Sequence, residues 1–210
     1  MVPRLYLTTV VENFDPDKLN RVRVAKEGEQ DGVTDWVSVM THYGSGDVGA
    51  SFLPEIGDQV LVASLDTGDG QKVIVGSVWS NNTPPPETNE NPDADLNKDG
   101  KNSLRFLKSR AGNQLIFDDT EGDEKVQLLS ADGSSRFEFL EADELVSLTT
   151  EHDLTASSKK ELSIQAEKVD IISEEEVNID TEDCQIKAGN TAEMIADSGL
   201  DIKGSGVALN

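Results

Sequence analysis

The feature that most constrains the fold of this chain is a short apolar pair that recurs from Val146 onward. Each unit has an apolar residue, any residue, a second apolar residue and then about five mostly polar ones. Nine pairs follow one another in steps of seven or eight residues, and self-similarity of this kind indicates a repeat architecture. The pairs are Val146/Leu148, Leu154/Ala156, Leu162/Ile164, Val169/Ile171, Val177/Ile179, Cys184/Ile186, Ala192/Met194, Leu200/Ile202 and Val207/Leu209.

The spacing within each pair predicts short strands, because residues two apart lie on the same face of a β-strand. A helical pattern of apolar residues is not sustained. Such a strand is too short to enclose a core, and a single-chain solenoid needs coils of roughly 20 residues or more. We therefore expect three chains to intertwine over residues 141–210 as a trimeric β-helix, a prism-like needle. A plain β-meander with irregular hairpins is the alternative. The pair residues other than Ala156 and Ala192 form the expected trimer core.

Composition limits the partners of the chain. Its 41 acidic and 18 basic residues give a net charge of −23, which makes nucleic acid and anionic membrane surfaces poor partners. The single cysteine, Cys184, lies in an apolar position of the repeat, where a small buried hydrophobic side chain is expected. No signal-peptide pattern and no membrane-spanning apolar run is visible, so we expect synthesis in the cytoplasm without a signal peptide.

The chain reads as an all-β protein in four parts. All seven prolines lie at or before Pro92, and all aromatic residues lie at or before Phe139. Strand-like runs at residues 5–11, 19–25, 36–40, 59–64 and 72–79 predict an N-terminal OB-fold barrel over residues 1–80. A linker rich in Pro, Asn and Asp follows at 81–102. Neck strands are expected within 103–140, at 104–107, 114–118, 126–130 and 137–140, before the repeat at 141–210.

Several motifs of the first part resemble the OB-fold head of contractile-tail spike proteins. They are Asp15-Pro16 with Arg21-Val22-Arg23-Val24, Asp35-Trp36, the run PEIGDQV at 54–60, and Val75-Gly76-Ser77-Val78 before a proline run. The family comprises the baseplate assembly protein V spikes of phages and the matching part of VgrG spikes of type VI secretion. The stretch at 104–133 is similar to the neck of these proteins.

This resemblance implies a function as the central spike of a phage-type baseplate or contractile injection system. The head is expected to dock under a hub protein at the end of the tail tube, and the needle to pierce the target envelope, so that membrane contact is transient. The C-terminal run GSGVALN lacks the His-x-His metal site of self-tipped spikes, which leads us to expect a PAAR-type tip protein. The protein is expected in a phage tail or a phage-tail-like particle. The alternative is a glycan-binding trimeric fibre or adhesin with a β-helical shaft.

Signals for catalysis are absent from the sequence, and we expect no enzyme, cofactor or metal. His42 and His152 have no Cys or His at metal-ligand spacing, and no nucleophile elbow or phosphate-binding loop occurs. The acidic run at 93–100 is similar to a calcium loop, but its sixth position is Lys98 and its twelfth is Leu104, where an EF-hand has Gly and Glu. A solvated loop is therefore the favoured interpretation.

Overall fold

The structure, a computed structural model, describes residues 4–26, 28–64, 71–86 and 102–205. It divides into two compact units, residues 1–155 and 156–210. The strands are β1 (Arg4–Glu12), β2 (Arg21–Val24), β3 (Val37–Val39), β4 (Gly44–Ser45), β5 (Val48–Gly49), β6 (Gln59–Ser64), β7 (Lys72–Ser77), β8 (Leu104–Lys108), β9 (Gln114–Asp118), β10 (Lys125–Leu129), β11 (Ser135–Leu140) and β12 (Leu145–Thr150).

Helices are absent from the described residues, so none of them could form a membrane-crossing helix. The all-β class predicted from the sequence is confirmed. The run TGDG at 67–70, whose composition predicts a tight hairpin turn, and the calcium-like run at 93–100 both lie outside the described residues.

Five strands of the first part close into a barrel in the order β1-β2-β3-β7-β6. Burial alternates along the strands, because successive side chains point to the inside and the outside of the barrel. In β6, Val60, Val62 and Ser64 are buried while the residues between them are half-buried. Seven residues make the core, namely Val10, Val22, Val24, Val37, Val60, Val62 and Ile74. Six of the seven are valines, and β-branched side chains pack well on a pleated surface. The closed barrel confirms the predicted N-terminal OB-fold head.

A tight turn delivers the chain into β6. Gly57 has a φ of 96°, a conformation that a residue with a Cβ rarely adopts, and its N–H donates to the carbonyl of Val10 at 2.9 Å. The Asp58 carboxylate accepts from the Glu55 N–H at 2.9 Å. These contacts give a structural reason for the PEIGD run, because they fix the start of β6 against the end of β1.

The connection from β3 to β6 contains a short hairpin, β4–β5, at residues 44–49, where three glycines predict only a loop. The two strands have only two residues each and no periodicity could predict them. Together with the barrel wall at Val75 the hairpin borders an open groove of about 870 Å³.

The neck is an up-and-down antiparallel sheet in the order β12-β11-β10-β9-β8. The four turns are short, and Gly112, Gly122 and Gly133 each adopt a positive φ in three of them. Four of the strands coincide closely with the predicted neck strands. The fifth, β12, contains Val146 and Leu148, the first pair of the repeat, in register with β11. The compact unit accordingly runs to residue 155.

Candidate assembly surface

One face of the neck sheet is apolar and exposed, and we call it the apolar neck face. Cross-strand neighbours build two rows across the sheet, which are Leu107, Leu115, Leu128, Phe137 and Leu148 in the first and Phe117, Val126, Phe139 and Val146 in the second. Arg105 of β8 ends the second row beside Phe117 and is paired with Asp119. Exposure reaches 58% at Leu148 and 59% at Val146. The rings of Phe137 and Phe139 pack edge to face with centroids 5.1 Å apart. Contiguous exposed apolar surface of this kind marks an interaction site.

The opposite face of the neck sheet is already occupied within the chain. Leu104, Ile116 and Leu129 form a small core there. Two buried polar groups on the same face are paired: the Gln127 amide donates to Glu138 at 2.6 Å, and Asp118 accepts from the backbone and hydroxyl of Thr120. Gln114 Oε1 is buried there without a hydrogen-bond partner among the described residues. One face of the neck sheet therefore packs around a buried core, and the other face exposes its apolar side chains to solvent.

Register places Val146 and Leu148 on the apolar neck face, beside Phe139 and Phe137 respectively. These two residues are also the first pair of the octad repeat. The apolar neck face thus carries both the last aromatic residues of the sequence and the first aliphatic pair. The spacing of eight residues from Val146 to Leu154 then continues the apolar pattern along the sequence.

The repeat residues 156–205 run as unpaired segments between bends, and every one of them is exposed. Among described residues from 152 to 205, no backbone hydrogen bond joins one residue to another and no strand pairing occurs. The short strands predicted for the repeat therefore do not form within one chain after β12. A protein backbone normally satisfies nearly all of its N–H and C=O groups, and an apolar stripe normally becomes buried. These features are typical of one partner in an assembly.

The expected trimer core is not buried in the single chain. Val146 and Leu148 lie in β12, on the apolar neck face. The other described members are all exposed, and they are Leu154, Leu162, Ile164, Val169, Ile171, Val177, Ile179, Cys184, Ile186, Met194, Leu200 and Ile202.

Exposure is high even in the middle of the repeat, at 72% for Ile179 and 71% for Met194. The physical reason is that a segment of about eight residues has no neighbouring layer of its own chain to cover it. The burial expected for Ile179, Met194 and the other members therefore does not occur within one chain, and it would require other chains. Cys184, expected as a small buried side chain, is likewise a free and exposed thiol here. Val207 and Leu209 lie outside the described residues.

The chain bends between successive apolar pairs. Bends occur at Glu151 and His152, Lys159 and Lys160, Glu167, Glu174 and Glu175, Glu182, Gly189 and Asn190, Asp197 and Ser198, and Ser205. They recur every seven or eight residues, in phase with the pairs. The geometry of the backbone therefore follows the sequence repeat, with one segment for each apolar pair.

A third position of the repeat emerges at these bends, four residues after the first apolar residue. It always carries a small side chain, namely Thr150, Ser158, Ala166, Ser173, Thr181, Ala188, Ala196 and Gly204. Hydroxyls at this position brace the bend: Ser173 Oγ accepts from the Glu176 N–H at 3.1 Å and donates to its carbonyl at 2.8 Å. Such side-chain bonds are typical of polar turns. The spacing of this position is visible in the sequence, but apolar periodicity alone does not identify it.

At two pairs, the residues that flank one member carry charges of opposite sign. Lys168 and Asp170, which flank Val169, form an ion pair at 2.6 Å. Asp201 and Lys203, which flank Ile202, form another at 2.8 Å. Neighbouring residues of a strand point to opposite faces. In a needle, the apolar side chains could therefore face the interior while the charged side chains that flank them face solvent.

In the barrel, the motif residues form one external cluster. The Asp15 carboxylate accepts from both nitrogens of the Arg21 guanidinium that face it, at 2.7 and 2.8 Å, and from the N–H groups of Asp17 and Leu19, each at 3.0 Å. These hydrogen bonds hold the pKa of Asp15 well below its usual range, and those from Arg21 have the largest effect. Burial alone would raise the pKa.

Trp36 completes the cluster across the next strand. The guanidinium carbons of Arg21 and Arg23 lie 5.9 and 5.8 Å from its ring centre, within the range of cation–π attraction. Arg23 also pairs with Glu12 at 2.9 Å. The cluster ties the end of β1, the first turn, β2 and the start of β3 together. Both arginines have partners here, which explains why they need no external anion.

Residues 6–79 match the model of a family described as the type VI secretion system/phage-baseplate injector OB domain. The barrel is an injector OB domain. The match confirms the resemblance to the baseplate spike family that the sequence motifs carried, and it spans the five barrel strands from Tyr6 onward. It does not separate a phage spike from a VgrG-type spike. No curated protein matches the chain.

The injector OB domain indicates a structural place for the chain in a phage baseplate or type VI secretion machine. It also indicates assembly into a particle of that kind. The match covers the barrel alone and does not extend to the neck or the repeat.

The two histidines lie apart from one another. His42 is exposed and borders the groove beside the hairpin of the injector OB domain. His152 Nε2 lies 3.1 Å from the Ser134 hydroxyl, which in turn donates to Asp132. Asp132 bonds serines rather than the imidazole, so this is not the geometry of a hydrolase triad. Among the described residues, no group of three or more His, Cys, Asp or Glu side chains could hold a metal ion.

Proposed function

We propose that this chain is the central spike of a contractile injection system, a non-enzymatic homotrimer whose repeats form a triple-stranded β-helix. One observation carries the proposal. The described repeat exposes its apolar pairs, bends in phase with them and makes no backbone hydrogen bond within itself. Other chains of the same period would complete both the sheet pairing and the burial.

Three intertwined chains could pair their backbones and bury their apolar pairs, which one chain cannot do alone. Each segment would pair its backbone with segments of the two other chains above and below it. The apolar pairs would meet near the common axis, where burying each large aliphatic side chain contributes about 1.5–3 kcal/mol. The small third position would lie at each corner, where the backbones of adjacent faces come closest. The charged faces would remain in water.

A rod of this kind suits the transmission of force. If each of the eight repeats that follow β12 advances one strand spacing of about 4.8 Å, they make a needle of roughly 38 Å. That length is comparable to a bilayer of about 40–45 Å with its headgroups. Intertwined chains can separate only by extensive unfolding, so their resistance to dissociation is kinetic. Sheath contraction elsewhere in the machine would supply the force.

The partners follow from that position in the machine. The injector OB domain would dock under a hub protein at the end of the tail tube, and a PAAR-type tip protein would cap the needle. Contact with the target membrane would be brief and mechanical, with no nucleic acid involved. A glycan-binding fibre is the less favoured function, since no aromatic residue follows Phe139 to stack on sugar rings.

The test is the mass of the full chain in solution by light scattering, followed by electrophoresis in detergent before and after boiling. We expect a particle of three 22.7 kDa chains that resists detergent until it is heated. Its incorporation into baseplates can then be tested by complementing a contractile particle that lacks its own spike. A monomer, or a trimer that leaves the particles unable to puncture cells, would contradict the proposal.

A further inference from the structure

The second half of β7 has a neighbouring strand on one side only. Among the described residues, β3 is paired with β7 at Val73 and Ile74 alone, and the Met40 N–H, which donates to the Ile74 carbonyl at 2.9 Å, is the last backbone contact of this pairing. From Val75 to Ser77, β7 lies beside β6, and no other strand of the described part of the chain covers its opposite side. We call this stretch the open edge of β7.

The backbone at Ser77 is oriented for pairing with an added strand. Ser77 lies opposite Val60 of β6, and the neighbouring Val78 N–H donates to the Gln59 carbonyl at 2.8 Å. In an antiparallel ladder this geometry makes Ser77 and Val60 a non-hydrogen-bonded pair, so the N–H and C=O of Ser77 point away from β6. Outside the strand ladders, no backbone hydrogen bond to either group occurs among the described residues. The bulge in β7 lies at Val75 and does not reach Ser77.

The open edge of β7 forms one side of the groove beside the hairpin β4–β5. Met40, Tyr43 and Phe52 also line this groove, and Tyr43 and Phe52 are 62% and 66% exposed. The open edge carries neither a charged residue nor a proline, which are two of the devices with which proteins block an exposed edge. An uncovered edge beside exposed apolar side chains is the geometry of strand addition, in which main-chain hydrogen bonds give affinity and side-chain pockets give specificity.

Charge limits the kind of segment that this groove would accept. Asp47 is the one acidic residue among the described residues that line it, and no lysine or arginine is among them. The chain as a whole has a net charge of −23. An acidic segment, including a second copy of this chain, would therefore be repelled, whereas a basic residue beside Asp47 would be attracted, most strongly at low ionic strength.

We propose that the groove binds an extended segment of a partner protein, which adds as a strand to the open edge of β7. Alternate apolar side chains of that segment would contact Tyr43 and Phe52, and a basic side chain would lie near Asp47. This inference goes beyond the proposed function, because it requires only the folded injector OB domain and depends on neither the trimer nor the needle.

Fluorescence anisotropy with the full chain tests the proposal. The probe is a labelled peptide, Lys-Thr-Val-Thr-Val-Thr-Lys, and its control has glutamate in place of both lysines. We expect saturable binding of the basic peptide below millimolar concentration at low salt, and weaker binding of the acidic peptide because Asp47 repels it. No binding of the basic peptide at millimolar concentration, or equal binding of the two peptides, would overturn the proposal.

Two substitutions of Ser77 test the open edge directly. Ser77→Pro removes the outward N–H and leaves the ladder with β6 intact, so the basic peptide should bind about tenfold more weakly. Ser77→Ala keeps the N–H and is the matched control, with binding expected to equal that of wild type. Equal binding by the two variants would exclude pairing at this edge.

A second pair of variants tests the side-chain contact without altering the strand. Phe52→Ser should weaken binding of the basic peptide, whereas Phe14→Ser should not, because Phe14 is exposed but does not line the groove. Equal binding by these two variants would exclude the groove as the site. The mass in solution separates this inference from the proposed function. A monomer that binds the peptide would overturn the needle alone, and a trimer that does not bind it would overturn strand addition alone.

Discussion

Ile171 and Ile172 are chemically identical neighbours to which the repeat assigns opposite faces. Ile171 is the second member of a pair, while Ile172 follows it and is 91% exposed. We expect Ile171→Asp to abolish trimer formation, because three carboxylates would be buried near one axis at a cost of several kcal/mol each. Ile172→Asp should leave the trimer intact. Light scattering measures the mass of both proteins in solution. An intact trimer of the Ile171→Asp protein would mean that Ile171 does not lie in the interior of the needle.

Asp15 offers a prediction that depends on pH. Its pKa is lowered in the folded state, so its contribution to the free energy of unfolding is complete above the unfolded value of about 3.9 and falls as pH drops below it. Asp15→Asn should therefore lower the Tm of the head at pH 7, and its difference from wild type should shrink in strong acid. Asp17→Asn is the control, because Asp17 is exposed and its carboxylate accepts from Arg21 alone among the described residues.

Thermal unfolding of both variants at pH 7 and pH 2 measures this effect. Equal losses of Tm in the two variants would mean that the buried carboxylate contributes no more than the exposed one.

The Asp15 cluster also shows what could not be predicted from the sequence at the scale of single residues. The motif residues were visible as a likeness to a family, but the four hydrogen bonds on Asp15 depend on a turn geometry that no periodicity encodes.

At the scale of elements, the most predictable strands were those with strict alternation. β2 reads Arg-Val-Arg-Val, apolar at every second residue, and forms at Arg21–Val24 within the predicted run 19–25. The hairpin β4–β5 has no such alternation, because its glycines and polar residues are selected by turn conformation. The sequence pattern places Val146 and Leu148 in the repeat rather than in the neck, because they have the same spacing as the later pairs, whereas the structure places them in β12 of the neck sheet. Spacing cannot reveal that a strand has a partner within its own chain.

The repeat itself makes an element-scale prediction about phase. Deleting residues 177–183 removes one seven-residue step and brings Cys184 into the position of Val177. We expect this protein to remain a heat-resistant trimer with a slightly shorter needle, because pairs, corners and charged faces stay in register. Deleting only residues 177–180 breaks that register for every later repeat.

The four-residue deletion should therefore dissociate in detergent at a lower temperature than the seven-residue deletion, although it removes less of the chain. Detergent electrophoresis across a temperature series compares the two. If the larger deletion were the more damaging one, stability would depend on length alone and the octad phase would have no structural meaning.

For the whole molecule, charge and apolar surface are distributed unevenly. From residue 141 onward the chain has 17 acidic and 5 basic residues, so a large share of its net charge belongs to the repeat. In a trimer these charges would lie on the outer faces of a thin needle and repel one another. Repulsion of this kind keeps particles separate in solution, and it also destabilises the compact state.

The stability of the trimer should accordingly depend on salt. Exposed charges are screened over a Debye length of about 10 Å at 0.1 M and about 3 Å at 1 M ionic strength, so we expect the Tm of trimer dissociation to rise with sodium chloride and then level off. Sucrose at matched osmolality is the control, because it is uncharged and does not screen. The Lys168–Asp170 and Asp201–Lys203 pairs are exposed and contribute little, so their screening should not reverse the trend. A Tm that falls with salt would mean that attraction between charges, rather than the apolar interior, holds the three chains together.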